Sequence, residues 1–108
     1  MPGTLPVVAR AYSERMIRLS VFYPSGDDTT FDHEYYKNTH VPMCTAAWNV
    51  GAEIDKGASG PYVAAVHMFF ESMEQMNTAM GSPETAKIMA DVPNYTNATP
   101  IMQVSEIV

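Results

Sequence analysis

A phenol and an imidazole four residues apart on a helix can meet the same bound molecule, and Tyr36 and His40 have that spacing. An imidazole with an ordinary pKa of about 6.5 exchanges protons near neutrality, so His40 is a candidate general acid or base. A tyrosine hydroxyl beside it can donate to a substrate carbonyl or to the enolate formed from it, the role open to Tyr36. Each residue also has a plainer reading. His40 can cap the carbonyl freed by the nearby proline, and Tyr36 can serve only as a packing partner of Phe31.

The elements that would position this pair are legible around it. Asp32 fits an N-cap, accepting from the N–H of Glu34 or Tyr35. Phe31 and Tyr36 then take the N′ and N4 places of a hydrophobic staple. Tyr35 projects ~100° away from its neighbour, toward the core or a subunit contact, and His33 in the first turn is expected in solvent. The helix is expected from about Asp32 to Ala47. Pro42 lies inside it, which predicts a kink or break just after His40.

Residues 16–23 alternate Ile17, Leu19, Val21 and Tyr23 against Arg18, Ser20 and Phe22, a half-buried strand ended by Pro24-Ser25-Gly26. Residues 48–55 alternate as well, which predicts a second strand opened by Trp48. Lys56 to Pro61 reads as a hairpin loop, and residues 62–70 as a strand apolar on both faces. Ser72 to Gln75 is a capping box before a methionine stripe (Met73, Met76, Met80) that ends at Gly81. Ser82-Pro83-Glu84 starts a further helix, with Ile88, Met89 and Val92 on its buried side. Residues 101–107 make the last strand. The order strand, helix, strand, strand, helix, strand is the split βαβ, or ferredoxin-like, arrangement, an α+β fold with a four-stranded antiparallel sheet. Helices on one sheet face leave the other bare, and an apolar bare face predicts a two-fold homodimer with the sheets face to face.

Size and composition narrow the function. The chain has 108 residues, enough for one domain, read as a flexible arm over 1–15 and a folded domain over 16–108. Twelve acidic against six scattered basic residues give a net charge of -6, which argues against nucleic acid and anionic membranes as partners. No apolar run is long enough to span a bilayer and no signal peptide is evident, so a cytoplasmic location is expected. The single cysteine, Cys44, excludes an internal disulfide. Although His40, Met43 and Cys44 are close together, no supporting ligands accompany them, so no metal is expected. Gly57-Ala58-Ser59-Gly60 lacks the spacing and the following helix of a dinucleotide loop, so no organic cofactor is expected either. The Asn94-Tyr95-Thr96 and Asn97-Ala98-Thr99 triplets read as a polar loop and not as glycosylation sites. His67, in the apolar strand, is open to the ligand cleft, the interface or a buried structural hydrogen bond. Trp48 is a candidate wall of the pocket or of the subunit seam.

Three segments together resemble the EthD family. They are Val21-Phe22-Tyr23-Pro24, the Phe31-Asp32 to His40-Val41-Pro42 stretch, and Asp91-Val92-Pro93-Asn94-Tyr95-Thr96-Asn97. The resemblance covers residues 16–108 and implies a dimeric α/β barrel of ferredoxin-like topology. It also implies a site in a cleft between sheet and helices, lined by His40 and Tyr36 with Tyr23 nearby. The family is named from ethyl tert-butyl ether degradation and includes proteins described as oxidoreductases.

Two functions are thereby expected. The first is a cofactor-independent oxidoreductase or acid–base enzyme acting on a small, largely apolar or aromatic molecule. His40 and Tyr36 would be catalytic in it, and Tyr23, Trp48 and His67 would bind substrate. If it is an oxidoreductase, its carbanion reacts with oxygen or its electrons pass to a redox partner protein. The second is a non-catalytic ligand-binding or accessory protein of an oxidative degradation pathway.

Overall fold

Alternating side chains make Ile17–Pro24 the strand β1, and the remaining strands assemble around it. The computed structural model describes residues 16–108, so the expected arm over residues 1–15 lies outside the described residues. After β1 comes helix α1, which runs through His33–Tyr35, a π-helical turn Tyr36–His40, and Val41–Trp48. Strands β2 (Ala52–Lys56) and β3 (Tyr62–Phe70) form the hairpin. Helices α2 (Met73–Met80) and α3 (Pro83–Asp91), a 3-10 turn Val92–Asn94, and β4 (Ile101–Glu106) complete the fold. The sheet has four strands in the order β2-β3-β1-β4, every neighbour antiparallel, and the expected ferredoxin-like α+β arrangement is what forms. No helix among the described residues is long and apolar enough to cross a membrane.

Ile17, Leu19 and Tyr23 of β1 and Ala64, Val66, Met68 and Phe70 of β3 form one buried cluster with Tyr36, Val41, Cys44 and Trp48 of α1. Asp32 caps α1 as its sequence suggests, accepting from the Tyr35 N–H at 3.0 Å, and the Phe31 and Tyr36 rings meet edge to face at 5.0 Å.

Four expectations are corrected. Pro42 does not break α1. The irregularity takes the form of a widened turn before it, with the Val41 N–H reaching back to the Tyr36 carbonyl, so the helix continues through the proline. Trp48 belongs to the helix and opens no strand. Asn49, in the left-handed conformation at φ 54°, ends α1 by bonding the Thr45 carbonyl, and β2 begins only at Ala52. The bare sheet face is not uniformly apolar. In the strand register Phe22, Ala65 and Phe69 share it with Arg18, Ser20, Glu53, Asp55, His67, Gln103 and Ser105. Met89, expected on the buried side of its helix, is exposed, as is Met73 of the methionine stripe.

Phe70 has no exposed surface, so Phe70→Ala is expected to cost about 3–5 kcal/mol in urea unfolding. A loss below about 1 kcal/mol would contradict its place at the centre of the core.

Candidate functional site

Two segments far apart in sequence are stitched side by side at the mouth of α1. The Asp32 N–H donates to the Tyr95 carbonyl at 2.8 Å, Phe31 bridges Thr96, and the Thr96 hydroxyl donates to the Thr30 carbonyl at 2.7 Å. Asn97 completes the seam by accepting from the Thr30 N–H and donating to the Asp28 carbonyl. Its amide is thus committed internally, as is that of Asn94, which donates to Asp91.

This seam delivers the end of α3 to His40. The His40 ring and the Asp91 carboxylate are joined by a 2.9 Å hydrogen bond from Nδ1 to Oδ2. The Tyr35 hydroxyl and the Asn94 amide each donate to the other carboxylate oxygen at 2.8 Å. Burial alone would raise the Asp91 pKa, but the donors from His40, Asn94 and Tyr35 outweigh it and hold the carboxyl below its usual value. Being ionised, the carboxylate can only accept, so Nδ1 must carry the proton and the lone pair of a neutral imidazole falls on Nε2. Burial lowers the His40 pKa more than the carboxylate raises it, which keeps the ring neutral at neutral pH. No hydrogen bond engages Nε2 among the described residues.

The cleft beyond His40 lies between the sheet, α1 and α3, with a volume of about 40 Å³. Tyr23, Tyr36, His40 and Trp48 stand together in its wall among apolar side chains. Tyr36 and His40 are stacked, their rings 5.6 Å apart and 15° from parallel, and the Tyr95 ring lies 4.5 Å from the imidazole. The Tyr23 and Tyr95 hydroxyls share a 2.7 Å hydrogen bond, and burial raises the pKa of both phenols. Trp48 spends its ring N–H on Thr85, tying α1 to the start of α3. Cys44 is buried with its thiol pushed up to about 12, an inert core residue.

Four of the five expected site residues therefore converge, and His67 does not. It stands on the opposite face of the sheet, 2.7 Å from the Ser20 hydroxyl and 3.0 Å from Asp55. The residues missed as site members are Asp91, Tyr95 and Tyr35. Spacing cannot pair a histidine with a carboxylate 51 positions away. Tyr35 packs against the core as expected and adds a hydroxyl bond to Asp91 that its position in the helix did not foretell. The only advance signal was that Asp91 and Tyr95 both fall in the tail segment that carries the family resemblance.

The model of the EthD domain matches residues 25–99. The chain belongs to the EthD family. The structure of an EthD-like protein from Ralstonia eutropha JMP134 is 33% identical, covering 89% of this chain and 95% of that one at a TM-score of 0.79. An EthD family protein from Bacillus halodurans C-125 superposes at 0.70 with 17% identity, over 86% and 99% of the two chains. A mutant of SnoaB from Streptomyces nogalater, described as a cofactor-independent oxygenase, superposes at 0.62 with 7% identity over 86% and 92%, a likeness of fold. No curated protein matches the sequence.

In this EthD domain the His40–Asp91 pair sets the acid behaviour. His40 titrates below its ordinary 6.5 and Asp91 below its ordinary 3.8. The unfolded chain therefore binds protons first in both windows, and stability falls with acidification, once from 6.5 downward and again from 3.8 downward. Urea midpoints measured against pH should show both steps, and Asp91→Asn should remove the more acidic one. A midpoint that rises on acidification below 6.5 would contradict the direction given for His40.

Proposed function

We propose that this EthD protein is a homodimeric acid–base enzyme, without a bound organic cofactor, acting on a small and largely apolar molecule held in the cleft. The observation that carries this reading is the His40 Nδ1 bond to Asp91, which leaves Nε2 as an unshared base at a buried apolar wall. Such a base can take a proton from carbon next to a carbonyl, the electron pair moving onto the carbonyl oxygen. Returning the proton to a different carbon gives isomerisation. Passing electrons from the carbanion to dioxygen, or to a redox partner protein, gives oxidoreductase chemistry. The fold relative described as a cofactor-independent oxygenase is consistent with the dioxygen branch.

Asp91 acts as a positioning residue, since it touches the base and not the substrate. Trp48 and Tyr23 contribute wall to the cleft. His67 would serve the bare sheet face, where a second copy of the chain is proposed to pack. That face presents Phe22 and Phe69 beside exposed Ile101, apolar surface that a second copy would cover. Native mass spectrometry should return a two-subunit mass, and Phe22→Glu, on that face, should shift it toward the monomer. A monomeric wild-type protein would overturn the dimer.

The small cleft volume favours a second reading, that of a ligand-binding accessory protein whose aromatic cluster only orients its guest. Deuterium exchange from solvent into the acidic C–H positions of small aryl ketones separates the two. The enzyme reading predicts a rate at least ~10²-fold above that of His40→Gln, with activity lost as His40 gains its proton below pH 6.5. Equal exchange by the two proteins, with altered ketone affinity, would establish the accessory role.

A further inference from the structure

One polar loose end remains in the cleft. Tyr36 is 1% exposed, and its hydroxyl has no hydrogen-bond partner among the described residues. The neighbouring polar groups are bonded elsewhere, Tyr23 to Tyr95 and His40 Nδ1 to Asp91, and neither makes a hydrogen bond to the Tyr36 hydroxyl. A hydroxyl buried without a partner carries its full desolvation cost, so such a group in a stable fold points to a partner supplied from outside the chain. Burial drives the Tyr36 pKa upward, and the nearby Tyr23 oxygen adds to it as a weak acceptor that falls short of hydrogen-bond geometry. The group is thus a permanent O–H donor and seeks an acceptor oxygen.

The rest of the cavity selects what surrounds that oxygen. Its walls are hydrocarbon from Leu19, Val21, Val66 and Met68, which repel a second polar group. At about 40 Å³ the closed space seats only a few atoms, far below the roughly 300–1,000 Å³ of ordinary ligand pockets. Anything larger must pass Met89 and Met102, which line the same cavity and are 51% and 49% exposed. Unbranched thioether side chains change shape readily, so this wall can yield to a guest without disturbing the sheet.

We propose that the cleft takes its ligand oxygen-first. A small phenol or enolisable aryl ketone places its single oxygen on the Tyr36 hydroxyl, beside His40 Nε2, and its apolar body leaves between Met89 and Met102. Tyr36, and not Tyr23, is the oxygen seat, because its buried hydroxyl lacks a partner whereas that of Tyr23 has Tyr95. This rests on the reading of the cleft as the ligand site and adds to it the orientation and class of the ligand.

Calorimetric titration of the full chain with 2-naphthol and with naphthalene tests the assignment. Wild type is expected to bind 2-naphthol at least ~10-fold more tightly than naphthalene, the size of one buried hydrogen bond. Tyr36→Phe should abolish that preference, leave naphthalene affinity in place and raise thermal stability, because it removes a buried hydroxyl that lacks a partner. A preference for 2-naphthol that survives Tyr36→Phe would overturn the oxygen seat and leave the acid–base reading standing. Binding of neither probe by wild type, with His40-dependent deuterium exchange intact, would overturn the oxygen-first ligand alone, whereas loss of both would remove the cleft as a site. Should the variant not fold, ring-carbon NMR shifts of Tyr36 in wild type decide. Movement on adding 2-naphthol but not naphthalene supports the seat, and equal movement contradicts it.

Discussion

One carboxylate holds the candidate site together. Asp91 accepts from a histidine, a tyrosine and an asparagine that come from α1 and from the turn after α3. Three donors on one ionised group are charge-assisted and cooperative, and removal of the carboxylate would orphan all three at once. The orientation of His40, the closure of the tail against α1 and the wall of the cleft all follow from it. Bonds between residues 28–32 and 95–97 serve the same end, because they bring the tail into register with the helix before any site chemistry is possible.

The π turn is the second constraint. Proline inside a helix removes a donor and crowds the preceding turn, and here the helix answers by widening over Tyr36–His40. Such widenings recur at functional positions in helices. In this chain the turn holds the phenol and imidazole rings in a near-parallel stack, and Tyr35 just before it bonds Asp91. The same residues thus make core and site together. Packing fixes their geometry, and burial sets their protonation.

The fold was legible because its elements are local. The strands at Ile17–Pro24 and Tyr62–Phe70, the N-cap at Asp32 and the Ser72 cap each follow from a few adjacent side chains. Boundaries blurred where two patterns overlap. Trp48 fits a period-2 run but also continues the helical face of Val41 and Cys44, and the left-handed Asn49 decides for the helix. Of the site, the Tyr36–His40 pair could be read from spacing, whereas the Asp91 partnership depends on tertiary contact and could not. His67 illustrates the reverse case. A histidine in an apolar strand gives no sign of which face it takes until its neighbours in register, Ser20 and Glu53, are known.

The central claim is that Asp91 fixes His40 as the neutral tautomer protonated at Nδ1, with a free lone pair at Nε2. Long-range nitrogen–proton NMR of histidine-labelled protein at neutral pH measures this directly. The account predicts a protonated Nδ1 and a lone-pair Nε2 for His40, lost as a fixed tautomer in Asp91→Asn. A ring protonated at Nε2, or an imidazolium at neutral pH, would contradict it.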